Sequence, residues 1–559
     1  MKKKIISLLL CVAMVSAMFV GCGQKEEQTS ETTVETKEEV AEAAPEDVTL
    51  TVWVPDDIRI ESYQDNSMTQ WLEEQSGYKL EMVPLASDGY FEKVNVALTT
   101  GAIEELPDII MYNKHKTDSF VYSWALAESI LPLTEYYADA EKAVHINKAI
   151  ERTGVDYTKH IVSPDGNIYS VANYNQSYGN EVPAKFWIYK PWLEKLGAEV
   201  PTTTDELYDL LKKVSTTDLN GNGKADEIGM LGSIEGDRHY EVFWKALMNA
   251  FVYAGDEQYR VVEDGKVSAA YTTDEWKNGL KYLKGLFDNG SIPVESLSIS
   301  QDQLITMLNG EEVTVFSFVT FNPDHIDPES GRRMEYACIE TLTGPDGVNY
   351  MKYAASAAHP AMVVTANCKN PEAAFTIGDL MSSEYIGISQ RWGKEGVDWD
   401  YASNLKDTAE LKPSVAGFDL SILTYDDSNF WGGTATTKNC WRQVGPYVRQ
   451  YGLANGWSTG AGGGDEYAAM LNEANVLYQN SGHAPAETIP KLIYTVEEAE
   501  QITSIEETLK AYVEESMANF VTGKKDIDAE WDSYLAELEK IGLSEYFEVV
   551  QEVYTRMYK

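Results

Sequence analysis

Residues 48–111 limit the possible folds more than any other stretch of this chain, because their hydrophobic pattern switches repeatedly between period two and the helical period. Residues 48–54 (VTLTVWV) alternate and stop at Pro55, which predicts a strand followed by a polar loop over 56–66. Residues 68–76 read as a helix closed by Gly77, and 79–83 as a second strand. Residues 91–100 read as a helix ending at Gly101, and 107–111 as a short buried strand. Strand–helix alternation predicts α/β architecture with mostly parallel sheets. In such sheets ligands bind beyond the carboxyl ends of strands, here the loops 55–66 and 112–116.

The same reading extends along the chain. Strands are predicted over 167–171, 186–189, 269–271, 313–319 and 361–366, with a polar connector over 173–180. Helices are predicted over 191–196, from Thr204 through Lys213, and over 274–288. Another opens with Asn370 as N-cap and Pro371 at the first helical position, and residues 495–559 read as mostly helical. No internal repeat of 20–50 residues is visible.

The first residues read as an address. Lys2, Lys3 and Lys4 form a basic start, and residues 5–20 are apolar but too short for a stable span. The run Phe19-Val20-Gly21-Cys22-Gly23 resembles the bacterial lipobox, with Phe19 in place of the usual leucine. Residues 1–22 are therefore expected to be a lipoprotein signal with Cys22 as the acylated residue. More than one chain on Cys22 would anchor stably, at about 0.8 kcal/mol per buried CH₂. Residues 23–47 carry nine acidic residues and no aromatic one. Such a stretch is expected to be a disordered acidic tether holding a folded body away from the membrane.

Composition excludes some classes of partner. The chain has 559 residues and a net charge of −44, from 45 Lys plus Arg against 89 Asp plus Glu. A nucleic-acid binder needs a basic stripe, so no nucleic-acid partner is expected. The 13 Trp and 34 Tyr outnumber the 15 Phe. Flat rings with polar tips suit half-apolar ligands such as sugars. Cys338, Cys368 and Cys440 are far apart, with no zinc-ligand spacing.

The sharpest local motif is the run 218–227 (DLNGNGKADE). Asp218, Asn220, Asn222 and Asp226 place oxygens at positions 1, 3, 5 and 9, Gly223 sits at position 6, and Lys224 would offer its carbonyl at position 7. This is the spacing by which an EF-hand-type loop wraps Ca²⁺. Position 12 is Gly229, so Glu227 at position 10 must supply the bidentate carboxylate. Oxygen ligands without His or Cys favour a structural Ca²⁺ over zinc or copper. An Asn/Gly-rich surface turn would share this composition. No GxSxG, HExxH, Walker A or Rossmann motif is present, and residues 460–464 (GAGGG) lack the following Lys-Ser/Thr of a phosphate loop. No enzymatic activity is expected, although the many carboxylates leave a glycosidase pair open.

Several runs together carry a family likeness: LTTGAIEELPD at 98–108, WIYKPWLEKLG at 187–197 with PTTT from 201, the 218–227 loop, KNGLKYLKGLFDNG at 277–290, RWGKEG at 391–396, and FVTG at 520–523 with WDSY at 531–534. In this order they resemble the extracellular solute-binding lipoproteins of bacterial ABC importers, family 1. The likeness is to the large carbohydrate-binding type that includes alginate-oligosaccharide-binding proteins. The resemblance implies a two-lobed periplasmic-binding-protein-like fold (type II), each lobe a mostly parallel sheet flanked by helices, with a sugar-sized cleft at the hinge. It also implies that the 218–227 loop is a calcium site. The expected N-terminal lobe is 48–175 with 346–418, and the C-terminal lobe 176–345 with 419–559. Crossings are expected near 173–179, 342–351 and 413–423.

The resulting expectation is a lipid-anchored, extracytoplasmic and monomeric binding protein that captures a carbohydrate, most simply an oligosaccharide, for ABC permease subunits. A lipid-anchored glycan hydrolase and a non-transporting glycan sensor or adhesin remain alternatives. Candidate ligand residues, from loops at strand ends and near crossings, are Trp53, Asp56, Asn113, Tyr174, Trp392, Trp431 and Trp441. Trp276 and Trp531 lie in amphipathic helices and are assigned to packing.

Overall fold

Fourteen short strands appear among the described residues, and most of them fall into two sheets. The computed structural model describes residues 48–100, 103–112, 118–233, 243–405, 419–423, 436–451, 453 and 466–559. All of these lie within one unit, Ala44–Lys559. Cys22, the 23–47 segment, Asn113 and Trp431 lie outside the described residues.

The strands are β1 (Thr49–Pro55), β2 (Lys79–Leu85), β3 (Ile109–Met111), β4 (Val171–Asn175), β5 (Lys185–Tyr189), β6 (Ile228–Met230) and β7 (Arg260–Glu263). They continue with β8 (Lys266–Ala269), β9 (Val315–Thr320), β10 (Tyr336–Ile339), β11 (His359–Val364), β12 (Trp399–Asp400), β13 (Ser421–Ile422) and β14 (Val448–Arg449). The first sheet runs β14-β4-β11-β3-β1-β2 and the second β10-β5-β9-β6. In β1 the residues Leu50, Val52 and Val54 are buried, as the period-two pattern requires.

Both sheets are mixed, where mostly parallel sheets are expected from the sequence. In the first, β1 lies parallel to β2 and β3, and β14 parallel to β4, but β11 is antiparallel to both β3 and β4. In the second, β5 is antiparallel to β9 and β10, and only β6 and β9 are parallel. The reason is topological. β4 leaves the first sheet toward the second, and β11 re-enters the first sheet from the same side. Neighbours that leave and re-enter through one hinge must point in opposite directions. The same holds for β5, which enters the second sheet, and β10, which leaves it.

Helices begin where side chains satisfy the free N–H groups of the first turn. Asn66 accepts from Met68 N at 3.1 Å, and Gly77 at φ 77° closes that helix. Thr203, one residue earlier than expected, forms a reciprocal capping box with Glu206 on the helix Thr204–Val214. The helix Pro371–Met381 starts as expected, although Asn370 makes no side-chain cap bond. The expected helical C-terminus consists of Val496–Val521, Ile527–Ile541 and Leu543–Tyr558. These helices join the second-sheet core together with Trp276 and Trp531, both buried as assigned. The first sheet carries apolar clusters of its own, one around Leu50, Val52 and Met362 and another around Val94, Ile110 and Trp124. Among the described residues no helix is long and apolar enough to cross a membrane.

Candidate functional site

Among the described residues the chain passes between the two sheets three times, after β4, after β10 and after β14. The first crossing spans 176–184, the second 340–358, and the third begins at Gln450. The first two overlap the expected positions near 173–179 and 342–351. The third does not coincide with 413–423. β13 pairs with β12 beside the first-lobe helix Glu384–Trp392, and β14 extends the first sheet, so the chain is still in the first lobe at Arg449. The polar connector expected over 173–180 is in fact the end of β4 plus one helical turn, Tyr178–Glu181.

The crossings meet in a cluster of tyrosines over a buried carboxylate. Tyr178 and Tyr451 stack with centroids 4.4 Å apart and ring planes 8° apart. Both are half-buried, as is Tyr353. Glu181 Oε1 accepts from Ser356 Oγ at 2.7 Å and from Tyr451 OH at 2.6 Å. Burial pushes the Glu181 carboxyl above its ordinary pKa, against hydrogen bonds from Ser356 and Tyr451. Lys185 is wholly buried nearby, donating to Val182 O at 2.8 Å and Phe321 O at 3.3 Å, and burial lowers its pKa to about 8. Sequence reading missed Tyr178, Glu181, Tyr353 and Tyr451. The only available signal was the aromatic content of the first predicted connector.

At the carboxyl end of β1, Asp57 accepts three bonds from Arg59: from its backbone N at 2.9 Å, Nε at 2.8 Å and Nη2 at 2.7 Å. Burial raises the Asp57 carboxyl, but these bonds and the Arg59 and Arg442 charges outweigh it and hold the pKa below the usual range. The segment 436–445 is bolted to this loop through Thr437 N to Arg59 O and Glu61 N to Thr437 O, both at 2.8 Å. Arg442 and Gln443 stand at φ 49° and 69°, an uncommon pair of left-handed non-glycine residues.

The candidate ligand residues fall in different places. Asp56 is exposed on the loop after β1, with its backbone N–H on Leu85 O. Trp53 is half-buried on β1, with Lys93 Nζ 5.9 Å from its ring centroid. Tyr174, Trp392 and Trp441 are interior side chains. Tyr174 stacks on Tyr157 at 5.1 Å, Trp392 packs with Ile388, Trp399 and Leu420, and Trp441 meets Tyr63 edge-on at 6.1 Å. Tyr174 also meets His160 edge-on at 6.2 Å, and the Arg391 and Arg449 guanidinium groups lie 5.2 and 5.5 Å from the Trp392 ring, so all three rings are buried in mixed surroundings of the first lobe. Cys338, Cys368 and Cys440 are free thiols.

The 218–227 loop folds inward on its oxygen-bearing residues. Asp218 accepts from Gly221 N and Gly223 N at 2.7 and 2.9 Å. Asn222 Nδ2 lies 3.1 Å from Asp226 Oδ1, and Asn220 Nδ2 lies 3.4 Å from the same atom. Gly221 and Gly223 take φ 82° and 87°, which the tight turn requires. Glu227 is buried and its Oε1 accepts from Leu219 N and Asn220 N, at 2.5 and 2.8 Å. Its Oε2 is buried without a hydrogen-bond partner. A buried, unsatisfied carboxylate oxygen is costly unless a cation faces it. Among the described residues no group of three or more His, Cys, Asp or Glu side chains is placed to hold a metal. A hard cation here would depend on the asparagine and backbone oxygens as well.

Two α/β lobes joined by three converging crossings define the architecture of a two-lobed binding protein. The chain belongs to the bacterial extracellular solute-binding protein family, whose model matches residues 58–384. It is 28% identical over 509 residues to the fructooligosaccharide ABC transporter substrate-binding protein FusA of Streptococcus pneumoniae serotype 4, covering 87% of this chain and 86% of that one. The structure of FusA in complex with kestose is similar at a TM-score of 0.64 and 25% identity, over 91% of this chain and 99% of that chain. A further FusA structure, of an EF-hand mutant in complex with fructo-nystose, matches to the same extent. An HMO-binding ABC-transporter-associated solute-binding protein from Bifidobacterium longum infantis shares the fold, with a TM-score of 0.71 at 21% identity over 92% and 99% of the two chains.

Proposed function

We propose that this protein is the substrate-binding component of an ABC importer, capturing an oligosaccharide between its lobes and presenting it to permease subunits. The observation that carries this reading is its similarity to FusA over nearly the whole of both chains, together with the three-crossing hinge. A ligand held between two lobes draws them together, and the closed form is the one a permease distinguishes. Half-buried aromatic faces supply apolar contact to sugar rings, and neighbouring hydroxyls and carboxylates bond the sugar hydroxyls. Tyr178, Tyr353 and Tyr451 at the hinge, with Trp53, Asp56, Asn113 and Trp431, are the residues proposed for these roles.

Three finer features belong to the same proposal. Asp218, Asn220, Asn222, the Lys224 carbonyl, Asp226 and Glu227 would hold Ca²⁺, which would neutralise the carboxylates and pin the loop. The unpaired Glu227 Oε2 supports this, as does the EF-hand named for FusA. Cys22 would carry the lipid anchor, and the body would act as a monomer outside the cytoplasm.

Calorimetry with a panel of fructo-, other neutral and acidic oligosaccharides, run beside an assay of reducing-sugar release, tests the reading. Binding without release is expected. Cleavage of a bound glycan would transfer the case to a hydrolase. Binding of a peptide but no glycan would end the carbohydrate assignment.

A further inference from the structure

We infer that Glu181 is a positioning residue that sets the pivot and the resting angle between the lobes. Its carboxylate belongs to the first crossing, yet its partners belong to the other two. Ser356, in the second crossing, donates to Oε1 at 2.7 Å. Tyr451, in the third, donates to the same oxygen at 2.6 Å. One buried carboxylate oxygen thus joins all three crossings seen among the described residues. The backbone repeats the pattern around it. Ala354 N donates to Glu181 O at 2.9 Å, and Gln176 N donates to Arg449 O at 3.0 Å. The Tyr178–Tyr451 stack ties the first and third crossings a second time.

The consequence is mechanical. Lobe rotation requires torsional change in each crossing. At Glu181, Ser356 and Tyr451 the three chains are fastened to one another and turn as a unit. Rotation is therefore confined to the unfastened parts of each crossing. Hydrogen bonds to a buried charged group are stronger than neutral ones. One such bond favours the fastened hinge over an unfastened one by roughly tenfold or more. Glu181 is only 4% exposed, so water cannot replace the lost partner without entering the hinge.

The inference deepens the proposed binding reading but is tested without any ligand. Spin labels placed on exposed positions of each lobe report inter-lobe distances in the ligand-free protein. Glu181→Ala and Tyr451→Phe are each expected to broaden or shift that distribution. The double variant should add little to Glu181→Ala, which already breaks the Tyr451 link. Tyr451→Phe keeps its ring stack and deletes a single hydroxyl, so it addresses the link even if Glu181→Ala does not fold. Glu181→Gln, which keeps an acceptor oxygen, should move the distribution less than Glu181→Ala. Distance distributions for folded Tyr451→Phe and Glu181→Gln superimposable on the wild type would overturn the inference. A glycan panel that finds no ligand would count against the binding reading and leave this result intact.

Discussion

Lys245 places its ammonium 3.1 Å from Glu257 Oε2 although Lys245 itself is almost wholly buried. Lys352, in the second crossing and also buried, sits 3.4 Å from the other Glu257 oxygen and donates to Gly255 O at 2.9 Å. One carboxylate therefore serves two buried cations and ties the second lobe to the hinge. Burial acts to raise the Glu257 carboxyl, but Lys245 and then Lys352 outweigh it and hold the pKa at about 2.

This gives the first prediction. The folded pKa of Glu257 lies below its ordinary 4.5, so its contribution to stability is complete above that value. It is lost as pH falls toward about 2. Because the Glu257 side chain is 58% exposed, water screens the pair, and Glu257→Gln is expected to cost about 1 kcal/mol at neutral pH. Urea denaturation of both proteins across this window checks it. The gap between them should narrow as the medium is acidified, and a constant gap would mean that the ion group is not the source.

The second prediction concerns the 218–227 loop. If Ca²⁺ binds the native state alone, chelation lowers Tm by mass action, about 2.7 kcal/mol at a hundredfold excess over Kd. Glu227→Gln should abolish the difference between calcium and EDTA melting curves. Elemental analysis of purified protein gives an independent reading. Identical curves for the wild type in calcium and in EDTA, with no bound calcium, would end the metal assignment.

How far the sequence could be read depended on whether a feature was local. β1, β2, the capped helix Thr204–Val214 and the amphipathic helix Asp274–Asp288 depend on period and caps, and their positions were legible. The β4–β11 direction was not, because it depends on which strands border a hinge formed by distant segments. The same cause hid the third crossing. β14 is two residues long and is held by pairing with β4, about 270 positions earlier, which no local pattern announces. The tight turn at 218–227 was legible from its glycine spacing, Gly221 and Gly223 both taking positive φ. Glu181 was not, since its meaning comes from Ser356 and Tyr451, far away in sequence.

The third prediction concerns Cys22. Acylation there would hold the protein on the membrane through two or more chains, each methylene contributing about 0.8 kcal/mol. Cys22→Ala should move the protein into the soluble fraction after cell disruption and leave its ligand binding unchanged. Persistence in the membrane pellet would assign retention to something other than the acyl group.

The fourth prediction separates two tryptophans that look alike in sequence, since both belong to a Gly-rich stretch. Trp441 is fully buried against Tyr63 and the first-lobe core. Its truncation leaves a large cavity, so Trp441→Ala should cost about 3–5 kcal/mol of stability. Any loss of affinity should follow from unfolding and disappear at low temperature, where the variant is folded. Trp431 is proposed as a sugar-stacking ring, and a stacking ring lost from a desolvated contact costs about 2 kcal/mol or more of binding, roughly thirtyfold in Kd. Trp431→Ala should therefore weaken oligosaccharide binding while leaving Tm within about a degree of the wild type in the absence of ligand. Paired calorimetry and thermal melts on the two variants decide the matter. If Trp431→Ala binds as tightly as the wild type, the ring does not belong to the ligand site. If Trp441→Ala melts normally yet fails to bind, the core placement does not describe what that ring does.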